Sequence, residues 1–361
     1  MFGTLLSACS EPLAQVDPDF GPIKATAQPT VYIEGYKKPR LLDSVATLAW
    51  EDSFHITRDG LHLYAFYAPV DLFRYSEFLG RQNGCASVEE TQKYMRGPTL
   101  TMDLENNAFG CPLLVHSDIA HATRSSVDEE FGPWQILPFS QPGVFEAGIA
   151  IMENSDGTVD MLYSHSTESN GDDIEWARGV SHDAKGADFN PVPFNSNRQE
   201  GNPFIERISE DTLVFLYDDH YGAQGETSIW YLVSNDNGAS WSEPVKLGET
   251  INKGAEVTHG HLWPDGSDWW MFFASDRNPP GLSIYRSRYL GSNLVADFDN
   301  WAEPERVIGL GPIGSGTGDF AGVGEPTLTA NGDISFAVVY CSKNPSAYSF
   351  CDIDPWILER E

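Results

Sequence analysis

Five times along the chain, a glutamate opens an apolar β-rich run that ends in a turn. The openings are Glu51-Asp52-Ser53, Glu146-Ala147-Gly148, Glu200-Gly201-Asn202, Glu256-Val257-Thr258 and Glu325-Pro326-Thr327. The turns are Asp59-Gly60, Asp156-Gly157, Glu210-Asp211, Asp265-Gly266 and Asn331-Gly332, hairpin signals between two strands. A second aromatic or β-branched run follows each turn, from Leu63, Val159, Leu213, Trp270 and Ile334. A third run is marked by Ile119, Ile174, Ile229, Ile284 and Ile353. From glutamate to isoleucine the intervals are 68, 28, 29, 28 and 28 residues. A meander of this length cannot bury both faces alone, so copies must stack on one another.

Trp134, Phe189, Trp241 and Trp301 mark a fourth strand in four of the units. The pattern predicts an all-β fold: a five-bladed β-propeller of four-stranded antiparallel blades. The last unit ends after its third strand, so the stretch from Thr30 to Leu42 is expected to supply its outer strand and close the ring. Residues 30–361 then form one domain, and residues 1–29 a leader and linker. The long first interval places an insertion at about 72–115. A six-bladed ring, with that insertion as a degenerate blade, is the alternative.

With 53 acidic against 22 basic residues the formal charge is −31. Such a surface repels phosphate backbones, which argues against nucleic-acid binding, and it suits a salty medium or a cationic partner. Leu6-Ser7-Ala8-Cys9 reads like a bacterial lipobox, although only Met1–Leu5 precede it. Cysteine acylation there would leave Cys85, Cys111, Cys341 and Cys351, an even set suited to an oxidising compartment. The most local pairings are 85–111 and 341–351. The expectation is a periplasmic, cell-surface or secreted protein, lipid-anchored through Cys9 and monomeric.

The stretch Trp241-Ser242-Glu243-Pro244 … Pro264-Asp265-Gly266 … Phe272-Phe273-Ala274-Ser275-Asp276-Arg277 … Ile284-Tyr285-Arg286 resembles the TolB-type WD-like propeller repeat. That likeness is closest over residues 228–290 and degenerate elsewhere. Ser234-Asn235-Asp236-Asn237-Gly238-Ala239-Ser240-Trp241 resembles the Asp-box of sialidases, a hairpin device. Both likenesses imply a fold, not an activity.

In an antiparallel blade, the start of the innermost strand and the end of the second lie at the same end. One rim therefore collects Glu51, Asp52, His55, Glu146, Glu200, Asn202, Glu256 and Glu325, with Tyr67, Asp71, His165, Asp218, Asp219, His220, Asp276, Arg277 and Lys343 around them. The glutamates are read either as blade fasteners on backbone amides or as channel-facing carboxylates. In the second case like charges force some to hold protons, or a structural Ca²⁺ in the channel neutralises them. A zinc site through His259 and His261, which alternate onto one face of a strand, lacks a third ligand.

The five-blade layout is similar to that of arabinanase- and inulinase-type glycosidases. That resemblance implies an oligo- or polysaccharide substrate and catalytic carboxylates on the first three blades, here Glu51, Asp52, Glu146 and Glu200. His55, Tyr67, His165, Asn202, Asp218, His220, His259, Asp276, Arg277 and Glu325 are then the substrate-binding candidates. A polysaccharide lyase with a His or Tyr base is a neighbouring reading. A non-catalytic TolB-like propeller lipoprotein that binds a protein or cell-envelope partner is the reading from a different class.

Overall fold

The computed structural model describes residues 21–69, 96, 117–141, 144–167, 170–196, 199–219, 226–278, 281–310, 320–342 and 350–361. Most of the insertion, with Cys85 and Cys111, lies outside them, as do Cys9, Asp71, His220 and Lys343.

Five antiparallel sheets form a five-bladed β-propeller. Blade one holds β3 (Trp50–Ile56), β4 (His62–Ala68), β5 (Asp118–Thr123) and β6 (Gln135–Ile136). Blade two holds β7 (Phe145–Glu153), β8 (Val159–Thr167), β9 (Asn170–Val180) and β10 (Asn190–Pro191). Blade three runs through β11 (Glu200–Arg207), β12 (Leu213–Asp219), β13 (Ser228–Ser234) and β14 (Val245–Lys246). Blade four comprises β15 (Val257–Asp265), β16 (Asp268–Ser275), β17 (Ser283–Arg288) and β18 (Glu305–Gly309). Blade five comprises β19 (Phe320–Leu328), β20 (Ile334–Ser342) and β21 (Phe350–Leu358).

Closure differs in part from expectation, because the segment from Thr30 serves two blades. β1 (Thr30–Val31) adds a fifth strand to blade four by pairing with β18, and only β2 (Arg40–Leu41) completes blade five, against β21. Before them, α1 (Gly21–Thr26) sends Lys24 into the buried pair Asp352 and Asp354, at 2.9 and 2.8 Å. Cys341 and Cys351, opposite one another on β20 and β21, form a disulfide.

The alternation of each strand gives it two apolar faces, and five hydrophobic clusters fill the five seams between blades. Phe272 and Ile284 meet Phe336 and Tyr340 between blades four and five. Leu42, Phe54 and Leu63 meet Ile353 and Ile357 between blades five and one, which shuts the ring. Each fully buried side chain of this size contributes about 1.5–3 kcal/mol.

Candidate functional site at the channel mouth

All five innermost strands break register at one point: between Asp52 and His55, Ala147 and Ile149, Gly201 and Phe204, Thr258 and His261, and Gly324 and Thr327. At each bulge one residue has left-handed backbone: Ser53 (φ 48°), Gly148 (47°), Asn202 (46°), His259 (55°) and Glu325 (60°). Four of the five are not glycine, an arrangement that costs about 1–3 kcal/mol per residue and clusters at functional sites. These crests ring the upper end of the channel around a cavity of about 30 Å³, room for one water.

The bulges also correct the glutamate series. Glu51, Glu146 and Glu200 each stand two residues before a crest and are equivalent. Glu256 stands three before its crest, and Glu325 is itself the crest, so valines (Val257 and Val323) hold the equivalent place in blades four and five. The three equivalent glutamates are at most 2% exposed and turn into the loops that precede their strands. Glu51 accepts from Thr47 N (3.2 Å) and the Thr47 hydroxyl, Glu146 from Gln141 N (2.8 Å), and Glu200 from the Ser196 hydroxyl. Burial raises all three carboxyls above their ordinary range, Glu146 to about 9. They fasten the loop into its own blade and not to its neighbour.

Asp52 and Glu325 meet across the seam between blades one and five. Both carboxyls take the Ser53 N–H, and burial together with the charge of Asp52 pushes Glu325 well above the usual carboxylate range. Ser53 N donates to both, at 2.9 Å to Asp52 Oδ1 and 2.6 Å to Glu325 Oε2, while Trp50 Nε1 donates to Asp52 Oδ2 at 3.0 Å. His259 Nε2 lies 3.4 Å from Glu325 Oε1. This group lines a cavity of about 260 Å³ with Asn202, Glu256 and Thr258, walled on the other side by Leu282, Val339 and Ile353.

Asp218, next to the end of β12 and fully buried, is the hub of a second group that holds Asn202, Thr258 and His259. Its Oδ2 accepts from Asn202 Nδ2 (2.9 Å), His259 N (2.9 Å) and the Thr258 hydroxyl. The Thr258 hydroxyl also lies 2.9 Å from His259 Nδ1 and 3.3 Å from Asn202 Nδ2.

Among the described residues the structure thus gathers Asp52, Asn202, Asp218, Glu256, His259 and Glu325, and several of the other described candidates lie elsewhere. Tyr67 is core between blades, beside Ala49 and Ala120. His165 faces Glu175 at 3.3 Å. Arg277 donates to Thr250 O (3.2 Å) and Ile251 O and covers the rings of Phe273 and Tyr285, so its guanidinium is tied into a loop. Asp276 accepts from Ala255 N and Glu256 N at 3.0 and 3.2 Å. Thr258 was not among the candidates. Asn202-Pro203 and Glu325-Pro326 carried a usable signal, since a proline, lacking an N–H, suits the point where a ladder is interrupted.

His55 lies deeper in the channel, near His261, the rings 6.1 Å apart. Period-two alternation put His259 and His261 on one face, but the bulge between Thr258 and His261 sends the first to the mouth and the second inward. Leu328 N donates to His261 Nε2 (3.3 Å), so its Nδ1 carries the proton. Arg58 crosses the lower channel to Glu206 Oε2 (2.5 Å) and Leu262 O (2.8 Å). Burial first, and the Arg58 charge second, lower His55 to about 3 and His261 well below its usual value. The carboxylates Glu153 and Glu206 line this lower cavity with His55, His261 and Arg58. Among the described residues no group of three His, Cys, Asp or Glu is arranged to hold a metal ion.

No protein-family model matches the chain, so the TolB-type likeness gains no support as family membership, and no curated protein matches it either. The fold does match solved structures. The catalytic domain of a GH62 α-L-arabinofuranosidase from Coprinopsis cinerea superposes with a TM-score of 0.50 at 8% identity, over 92% of this chain and 97% of that one. A protein of unknown function from Dyadobacter fermentans gives 0.50 at 12% identity, over 91% and 100%. A thermostable family-43 glycoside hydrolase gives 0.48 at 11% identity, over 86% and 91%. At such identities the likeness is one of fold: this chain is a five-bladed β-propeller with structural neighbours among glycoside hydrolases.

Proposed function

We propose that the channel mouth is the active site of a glycoside hydrolase acting on an oligo- or polysaccharide. Glu325 is the general acid that protonates the departing glycosidic oxygen, and Asp52 is the carboxyl beside it. Glu256, exposed on the blade-four wall of the same cavity, activates the attacking water. The observation that carries this reading is the Asp52–Glu325 pair, two carboxyls that converge on one donor, Ser53 N, at 2.9 and 2.6 Å. Two carboxyls in contact do not both ionise, so at neutral pH one of them remains an acid. Glycoside cleavage needs a second carboxylate about 5–10 Å from the acid, which a close partner cannot supply; Glu256, lining the same cavity, is assigned that part. The fold shared with an arabinofuranosidase domain supports the reaction class, not a particular sugar.

The test is turnover of a panel of aryl glycosides and plant or algal polysaccharides. Glu325→Gln, Asp52→Asn and Glu256→Gln are each expected to lower kcat about 10²–10⁴-fold with the fold intact by circular dichroism. Unchanged turnover in Glu325→Gln sinks the assignment. The loop-capping roles of Glu51, Glu146 and Glu200 favour a second reading, a non-catalytic propeller that binds a glycan or an envelope protein. Saturable glycan binding without turnover by the wild type would select it. With either reading we infer export, which the Cys341–Cys351 disulfide supports. Lipid attachment at Cys9 and a monomeric state are part of the same proposal.

A further inference from the structure

The Thr258 hydroxyl has a single proton and three polar neighbours: Asp218 Oδ2, Asn202 Nδ2 and His259 Nδ1. A carboxylate only accepts and an amide nitrogen only donates. The hydroxyl proton therefore goes to Asp218, and toward His259 the hydroxyl can only accept. A neutral His259 then carries its proton on Nδ1, which leaves the lone pair of Nε2 toward Glu325 Oε1, 3.4 Å away.

We propose that Asp218 and Thr258 are positioning residues that lock His259 in the Nδ1–H tautomer, so that Nε2 presents a lone pair and not a proton to Glu325. The tautomer decides what Glu325 can do. A proton on Nε2 would be donated to Glu325 and would favour its ionised form, whereas a lone pair there offers no proton to a carboxylate and so favours the acid form. The backbone reinforces the arrangement, because Asp218 also holds His259 N and so fixes the strained crest on which the ring stands. The charged and titratable groups that face the ring or line the same cavity are Asp52, Asp218, Glu256 and Glu325. This inference deepens the hydrolase reading and rests on it for its catalytic consequence, but the tautomer itself is a property of the resting protein.

The experiment is ¹⁵N NMR of the full chain labelled at histidine, with the His259 signals assigned by their loss in His259→Gln. The expected result is an unprotonated Nε2 and a protonated Nδ1 in the wild type. Thr258→Val should shift His259 toward the Nε2–H form, and Thr258→Ser, which restores the hydroxyl, should return it. On a glycoside that the wild type cleaves, Thr258→Val should move the basic limb of the kcat/KM profile down by about one pH unit, and Thr258→Ser should restore it. A wild-type His259 protonated on Nε2, or one whose tautomer Thr258→Val leaves unchanged, overturns the proposal. If the NMR switch occurs but no glycoside is turned over, the relay stands and the hydrolase reading fails.

Discussion

Glu146 accepts one hydrogen bond on Oε1 from Gln141 N, while Oε2 has no hydrogen-bond partner among the described residues. Burial raises its carboxyl to about 9, so it folds as a neutral acid at pH 7. A group whose folded pKa exceeds its unfolded value of 4.5 contributes stability that is complete below pH 4.5 and lost as pH rises through about 9. Glu146→Gln copies the neutral form without titrating. Its melting temperature should therefore change little at pH 5 and fall less than that of the wild type between pH 6 and 9, which calorimetry across that range would check. A wild-type decline equal to that of the variant would show that Glu146 is ionised in the fold. Glutamates at strand starts were legible in the sequence; their direction was not. Loop capping and channel lining look alike until the crest is located, because one residue of register reverses a side chain.

Between blades one and two, three histidines stack without any pattern along the chain to announce them. His62 lies on His182 with ring centroids 3.7 Å apart, its Nδ1 is 2.9 Å from His121 Nε2, and Tyr64 Oη lies 2.8 Å from His182 Nδ1. Nearly parallel planes keep the nitrogen lone pairs from converging, so the trio packs and does not chelate. Burial, and for His121 and His182 the neighbouring rings as well, lowers all three: His121 to about 3 and His182 to about 4, against the opposing charges of Asp59 and Asp183. The unfolded chain protonates these rings near 6.5 and the folded chain does not, so stability is lost as pH falls below 6.5. His182→Asn removes one such ring and keeps an acceptor for Tyr64. Its melting temperature should fall less steeply than that of the wild type from pH 6.5 to 4, and an unchanged slope would rule out the stack as the cause. The cluster was invisible in sequence because His62, His121 and His182 belong to different strands and loops of two blades. The strands themselves were legible because hairpin turns and period-two runs are local.

The ring is shut by short strands. Arg40–Leu41 pairs with Trp356–Ile357, Tyr36 bridges to Arg360, and Lys37 meets Glu359 at 3.0 Å. Without them the seam between blades five and one loses Leu42 and Val45 from its core. Removing residues 1–46 should abolish the single cooperative unfolding transition, while removing residues 1–19 should leave it. Urea denaturation of the two truncations distinguishes them, and a cooperative shorter chain would show that the clasp is dispensable. The blade count and the need for closure were legible from the periodicity. Of the crown of bulges only Asn202-Pro203 and Glu325-Pro326 were marked, since a left-handed serine or histidine has no compositional sign. That crown has an evolutionary consequence. Serine, glycine, asparagine, histidine and glutamate occupy one backbone conformation at five places around an axis, each interchangeable by a point substitution without rebuilding a strand. The molecule is a carousel of five sockets, and a lineage could exchange one chemistry for another while the frame that turns them inward stays the same.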